Sequence, residues 1–206
     1  MADEVSFGLN RIYLLFDELP FRPTYYCAAN ELVLEQFCTD IAALSMPRFL
    51  SWSGRRHFDP QDESILYLKQ ALTLGDFFGR DARSAICSGG TVTYLAIQLA
   101  WHMGFHQVIL LGVDHSFHDK GIPNREEVRE SAEDENHCHP DYFPKGSRWQ
   151  LPDLLRSEGA YRLAREAFEA DGRQIVDATV GGQLEVFEKV RFESLFEDAG
   201  YGEEKP

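Results

Sequence analysis

The chain has 206 residues, 44% of them hydrophobic, and a formal net charge of −14. That length suits one domain with a sizeable core. The acidic balance disfavours a nucleic-acid or anionic-membrane partner, since both need a basic face, but leaves room for a small anion held by a few local donors.

In chain order, the first six residues are polar and expected to fray. Residues 10–19 (N-R-I-Y-L-L-F-D-E-L) are too short to assign as helix or strand, and Pro20 and Pro23 interrupt the chain just beyond them. Residues 24–29 are β-prone and read as a strand. Residues 31–44 read as a helix with Val33, Phe37, Ile41 and Leu44 on one face, and Asn30 stands where an N-cap belongs. Residues 47–52 read as a second strand. Residues 53–80 are irregular and hold the densest cationic cluster, Arg55, Arg56 and His57, read either as a solvated loop or as an anion contact.

The most structured stretch is 87–117 (C-S-G-G-T-V-T-Y-L-A-I-Q-L-A-W-H-M-G-F-H-Q-V-I-L-L-G-V-D-H-S-F). Ser88, Gly89 and Gly90 form a loop, and Thr91 can cap the helix beyond it. Val92, Leu95, Ala96, Leu99, Ala100 and Met103 share one face, and Gly104 ends the helix. Residues 108–111 form a continuous apolar run, as in a strand covered on both faces. Asp114, His115 and Ser116 then fall beyond its carboxyl end, where open α/β sheets bind ligands. The helix start nearby offers unpaired N–H groups and a positive dipole end to a phosphate.

Residues 118–149 are polar, rich in His, Pro and acids, and read as a lid or insertion. Within them His137 and His139, two apart, would face one side of an extended segment. With Asp114 or Asp134 they could hold a divalent metal, one could be a general base oriented by Asp114, or both could merely hydrogen-bond a folded lid. Tyr142, Phe143 and Trp149 read as core or lid packing, or as a stacking surface. Lys145 and Arg148 read as phosphate contacts or solvated cations. A helix over 151–170 and a strand over 173–179 close the pattern, and alternating strands and helices imply a mainly parallel sheet. Cys27, Cys38, Cys87 and Cys138 form no C-x-x-C pair, so no disulfide or zinc framework is implied. With no spanning apolar run and no signal peptide, the cytoplasm is the expected compartment.

Residues 88–117 resemble the matching segment of bacterial CMP-sialic-acid-dependent sialyltransferases, where a T-S-G loop, a helix, a G-Y-K-E-I-Y-L strand and a G-I-D tip occur in that order. The chain resembles still more closely the MptE-like family, named for the archaeal 6-hydroxymethylpterin diphosphokinase. That family also includes Maf-type flagellin glycosyltransferases and polysaccharide-biosynthesis proteins. Its G-G-T-V-T-Y, G-V-D-H-S, N-H-x-H-P-D-Y-F and A-T-V-G-G patterns are matched at 89–94, 112–116, 136–143 and 178–182. The resemblance implies a single Rossmann-like three-layer α/β domain over 1–206, with 118–149 as its polar lid. It implies nucleotide contacts from Asn10, Asn30, Ser88, Gly89, Gly90 and Thr91, and a general base at His137 or His139. Asp114, His115, Ser116, Tyr142 and Lys145 would lie at the phosphate or sugar. Both families open with a strand and a G-N-G-P-S-L loop that has no counterpart before Asn10, and that strand would be central in the sheet.

Three functions stand as expectations. The first is a glycosyltransferase of surface-polysaccharide or glycoconjugate synthesis, using a CMP-activated sugar and a glycan or small alcohol acceptor, with no metal required. The second is a diphosphokinase moving diphosphate from ATP to a pterin-type alcohol, with Mg²⁺ held by Asp114 and Asp134. The third is a non-catalytic nucleotide- or partner-binding domain. None involves nucleic acid, and nothing in the sequence fixes the oligomeric state.

Overall fold

Short strands rich in aromatic and branched residues build two parallel sheets. The computed structural model describes residues 4–117, 121–130 and 139–195. β1 (Phe7–Leu9), β2 (Tyr25–Ala28), β3 (Arg48–Ser51) and β4 (Ile65–Leu68) pair in that order, all parallel. β5 (Gln107–Leu110), β8 (Gln174–Asp177) and β9 (Glu188–Lys189) form the second parallel sheet, and β6 (Glu126–Val128) pairs antiparallel with β7 (Arg148–Gln150). The helices are α1 (Glu31–Gln36), α2 (Cys38–Ala42), α3 (Val92–His102) and α4 (Leu154–Ala170). The architecture is mixed α/β around a mainly parallel sheet, compatible with a Rossmann-like fold. No described helix is long and apolar enough to cross a membrane.

α3 joins the two sheets. Leu95 and Leu99 pack in one cluster with Cys27, Phe49, Leu68 and Ile86, while Tyr94 and Ile97 pack in another with Leu110, Phe168 and Ile175. Every residue from Tyr94 to Ala100 is therefore buried, and the single apolar face expected from spacing is a helix enclosed on all sides. Met103, placed on that face by spacing, is 37% exposed at the helix end.

Tertiary contacts reshape other expectations. The helix expected over 31–44 breaks at Phe37, which lies under the Arg11 guanidinium at 3.7 Å. The neighbouring Gln36 amide reaches out of the helix, donating to the Arg148 carbonyl and accepting from its N–H. The irregular 53–80 stretch contains β4, and Ser6, at the end of the stretch expected to fray, bonds to Thr24 and leads into β1. In the described part of 118–149, Tyr142, Phe143 and Trp149 are buried in the main core cluster. Residues 118–120 and 131–138 of that stretch lie outside the described residues.

β5 is only half covered, against the two-sided burial expected from its apolar run. Ile109 is 37% exposed and Leu111 44%. The His106 and Leu110 carbonyls bond to β8, which turns the Gln107, Ile109 and Leu111 backbone groups to the opposite edge. β1 likewise uses the Ser6 carbonyl and Asn10 N–H on β2, so Phe7 and Leu9 face away. Among the described residues neither of these edges has a strand partner.

A buried cation ties the far end of the four-stranded sheet. Arg48, 2% exposed, donates to the Ile41 and Ala42 carbonyls and pairs with Asp62 at 2.6 Å. Hydrogen bonds from Ser64, then from Arg48, hold the Asp62 carboxyl below the usual carboxylate range.

This packing can be probed in two ways. In native-state hydrogen exchange, the Phe7, Leu9, Ile109 and Leu111 amides exchange faster than those of Tyr26 and Ala178, which are bonded in the sheets; equal protection would mean that both edges are covered. Asp62→Ala lowers unfolding free energy by about 2 kcal/mol near neutrality, the scale of hydrogen bonds to a charged group. Because the folded pKa is depressed, that contribution is full above the unfolded value of about 4. It is lost as pH falls through the folded value, so urea midpoints of variant and wild type converge in acid.

Candidate functional site

A cleft of ≈ 410 Å³ opens where the two sheets meet. Its floor is made by the carboxyl ends of β1, β2 and β5, through Asn10, Asn30 and the 112–117 tip, together with the start of α3. The first turns of α4 and the Tyr142–Phe143 pair complete the walls. This is the crevice beyond strand ends where open α/β sheets hold ligands.

The start of α3 is fixed by a buried amide. Gln98 is fully buried; its Oε1 accepts the Gly79 and Cys87 N–H groups, and its Nε2 donates to the Cys87 and Tyr94 carbonyls. The loop leaving Cys87 turns through Gly89 (φ 54°) and Gly90 (φ 78°). A Cβ on Gly89 would stand 2.3 Å from the Tyr94 ring and 2.7 Å from Ala160. Gly89 therefore lets the loop lie against α3 and α4, while Ser88 and Gly90 line the cleft itself. Thr91 caps α3 through its Oγ1, which accepts the Thr93 N–H at 3.3 Å.

Asn30 both caps and lines. Its Oδ1 accepts the Leu32 and Val33 N–H groups, which leaves the amide nitrogen for a ligand. Asn10 has a left-handed backbone (φ 46°), and its Oδ1 is buried without a partner in the cleft wall.

The tip after β5 is held from the neighbouring strand. The Val113 N–H donates to Thr179 Oγ1, and the Asp114 carbonyl accepts the Gln183 N–H at 2.8 Å. These contacts place Asp114, His115 and Ser116 in the cleft and give the 178–182 segment its task. His115 adopts φ 53°, its Nε2 lies 3.8 Å from Glu158 Oε2, and its ring meets Tyr161 edge-on.

One cation in the cleft has no counterpart among the sequence expectations. Arg156, in the first turn of α4, lines the wall, donates to Ser88 Oγ at 3.3 Å and binds Asp76 through two nitrogens. Those bonds hold the Asp76 carboxyl below its usual range. The apolar face of 151–170 identifies the helix but says nothing of its polar first turn, which adjoins the cleft. Burial raises the Tyr161 phenol pKa, and the Thr91 and Thr93 hydroxyls oppose that rise. Arg11 is likewise absent from the sequence expectations. It is 5% exposed and donates to the Asp141 and Tyr142 carbonyls, so it anchors the wall that carries Tyr142.

Other expected residues stand elsewhere. His139 is not in the cleft lining: its Nδ1 accepts the Asp141 N–H, and its Nε2 lies 4.0 Å from Glu18. Lys145 is exposed away from the cleft, and Arg148 pairs with Glu35 at 2.7 Å. Arg56 pairs with Glu31, and Arg55 stacks on Trp52. His137 and Asp134 lie outside the described residues. Among the described residues, no three His, Cys, Asp or Glu side chains gather as a metal set.

Comparison with family models, curated proteins and solved structures finds no match to this chain. The function of the cleft therefore rests on its own chemistry.

The Gln98 network gives a direct test of how the site is built. Gln98→Leu strands buried N–H and C=O groups of Gly79 and Cys87, so it lowers unfolding free energy by about 3 kcal/mol. Denaturant titration checks this, and an unchanged midpoint would show that the loop does not need the amide.

Proposed function

We propose that the cleft binds the nucleotide of an activated sugar, and that the chain is a glycosyltransferase using a CMP-activated acidic sugar. The observation that carries the reading is a local scarcity of carboxylates. In a chain of net charge −14, the described cleft lining balances one carboxylate, Asp114, with Arg156, whose partner Asp76 stands outside the lining, and adds the positive start of α3. Clearing carboxylates from one concave surface of an acidic protein favours an anionic ligand there. Ser88, Gly90 and Thr91 at the amino end of α3 hold the phosphate with Arg156. The Asn30 amide and the Asn10 side chain read the base and ribose by hydrogen bonding. Tyr142 and the tip from Asp114 to Ser116 surround the sugar.

On this reading the chemistry is direct displacement at the anomeric carbon by an acceptor hydroxyl, with the leaving phosphate stabilised by preorganised donors. The sheet arrangement, the crevice position and the resemblance in residues 88–117 all support a Rossmann-like nucleotide site. The diphosphokinase alternative uses the same phosphate-binding corner, with Asp114 sharing Mg²⁺ with ATP.

Calorimetric titration separates the two. CMP is expected to bind without metal, and ATP to bind poorly with or without Mg²⁺; Mg²⁺-dependent ATP binding with silence toward CMP would reverse the assignment. Arg156→Gln is expected to weaken CMP binding about 30-fold, the scale of a charge-assisted hydrogen bond. Asn30→Asp keeps an N-cap acceptor but removes the amide donor. It should cost affinity at unchanged thermal stability, whereas equal affinity would remove Asn30 from the site.

A further inference from the structure

We infer that His115 is the proton acceptor of the cleft, held in place by Glu158 as a positioning residue. This rests on the glycosyltransferase reading above and goes beyond it, because the base expected at His137 or His139 has no described counterpart in the cleft lining.

Among the described side chains lining the cleft, Asp114, His115, Tyr142, Arg156 and Tyr161 are ionisable. A carboxylate is a weak base near neutrality, and a phenol or guanidinium is already protonated there. Imidazole alone has an ordinary pKa close to neutral pH, which suits it to accept a proton from a hydroxyl as the bond forms. Position agrees with chemistry. The His115 side chain is only 11% exposed, yet it reaches the cleft from the tip of β5.

The backbone is built to keep it there. A left-handed φ of 53° is uncommon for a residue other than glycine, and it is retained where surrounding contacts over-determine the chain. Here those contacts are Thr179 on Val113 and Gln183 on Asp114, directly before the histidine.

The ring also has a charged neighbour. Nε2 lies 3.8 Å from Glu158 Oε2, an ion-pair distance longer than a hydrogen bond, and we assign Nδ1 to the substrate. Arg162 pairs with Glu158 from the next turn of α4. Tyr161 meets the imidazole edge-on, and Asp114 precedes it in the chain. The groups facing the ring are thus Glu158, with Arg162 behind it, and Tyr161 from α4, and Asp114 from its own segment. Glu158 stands beside the imidazole in the place an orienting carboxylate takes next to a catalytic histidine.

The step balances without a further reagent. The acceptor O–H proton moves to His115 Nδ1 while the acceptor oxygen forms its bond to the anomeric carbon. The bond from that carbon to the CMP phosphate oxygen breaks, and its electron pair leaves on the phosphate, beside Arg156 and the start of α3. The proton on His115 then returns to solvent.

The test uses the whole chain, with CMP as the binding probe and CMP-sialic acid as the turnover probe, water or lactose being the acceptor. His115→Asn is the informative variant, because asparagine tolerates the left-handed backbone. It is expected to bind CMP within twofold of wild type while turnover falls about 100-fold or more. Glu158→Gln should reduce turnover about 10-fold, below the full effect of losing a general base. It should lower kcat while KM for the donor stays within twofold, and Glu158→Asp should recover part of the loss. A purely structural role for Glu158 would move KM and thermal stability together with kcat. Full turnover in His115→Asn overturns the assignment, as does a wild-type chain that binds CMP but turns over no donor. Failure of wild type to bind CMP overturns the nucleotide reading itself, and this inference with it.

Discussion

The side chain of Gln98 is the constraint on which the site depends. It is a polar group inside a helix otherwise lined with Leu, Ile and Ala, and it is tolerated because its amide groups meet four backbone partners. Two of those bonds fall on Cys87, immediately before the Ser88–Gly90 loop. The amide thus locks the incoming chain to the helix that the loop begins. Without it, the amino end of α3 would still carry its unpaired N–H groups, but the chain entering the loop would lose its ties to the helix.

From that fixed point the site assembles by short reach. Gly89 has no room for a side chain against Tyr94 and Ala160, so the loop sits flush on α3 and α4. That close packing brings Arg156 to Ser88, and Asp76 keeps the guanidinium oriented. On the opposite wall, Thr179 and Gln183 hold the tip of β5, which sets His115 against Glu158. Both α4 residues that meet the cleft's key groups lie in its first turn or two. α4 therefore supplies its apolar face to the core and its polar start to the site.

The two sheets contribute differently. The four-stranded sheet is closed at its centre by burial and at its far end by the Arg48–Asp62 pair. The second sheet is thinner, with β5 open along one edge and its apolar residues partly exposed. The cleft lies at the carboxyl ends of both open edges, so its floor is shaped by strands whose outer backbone groups have no ladder partner among the described residues.

The sequence by itself determined what depends on near neighbours. The Thr91 and Asn30 caps, the Ser88–Gly90 turn, α3, β2, β3, β5, α4 and β8 are legible because capping, turn chemistry and hydrophobic period act over a few residues. Asn10, Asn30, Ser88, Gly90, Thr91, Asp114, His115, Ser116 and Tyr142, spread along the chain, line one cleft. Only the tertiary structure decided the break at Phe37, where contacts from Arg11 and Gln36 outweigh helical spacing. The same holds for the partition of 118–149 into core aromatics and exposed Lys145, because burial is set by what lies opposite. Arg156 with Asp76, and His115 with Glu158, were invisible for that reason. Each pair joins residues distant in the chain, and no local period records a meeting that exists only once α4 packs against α3 and the tip of β5.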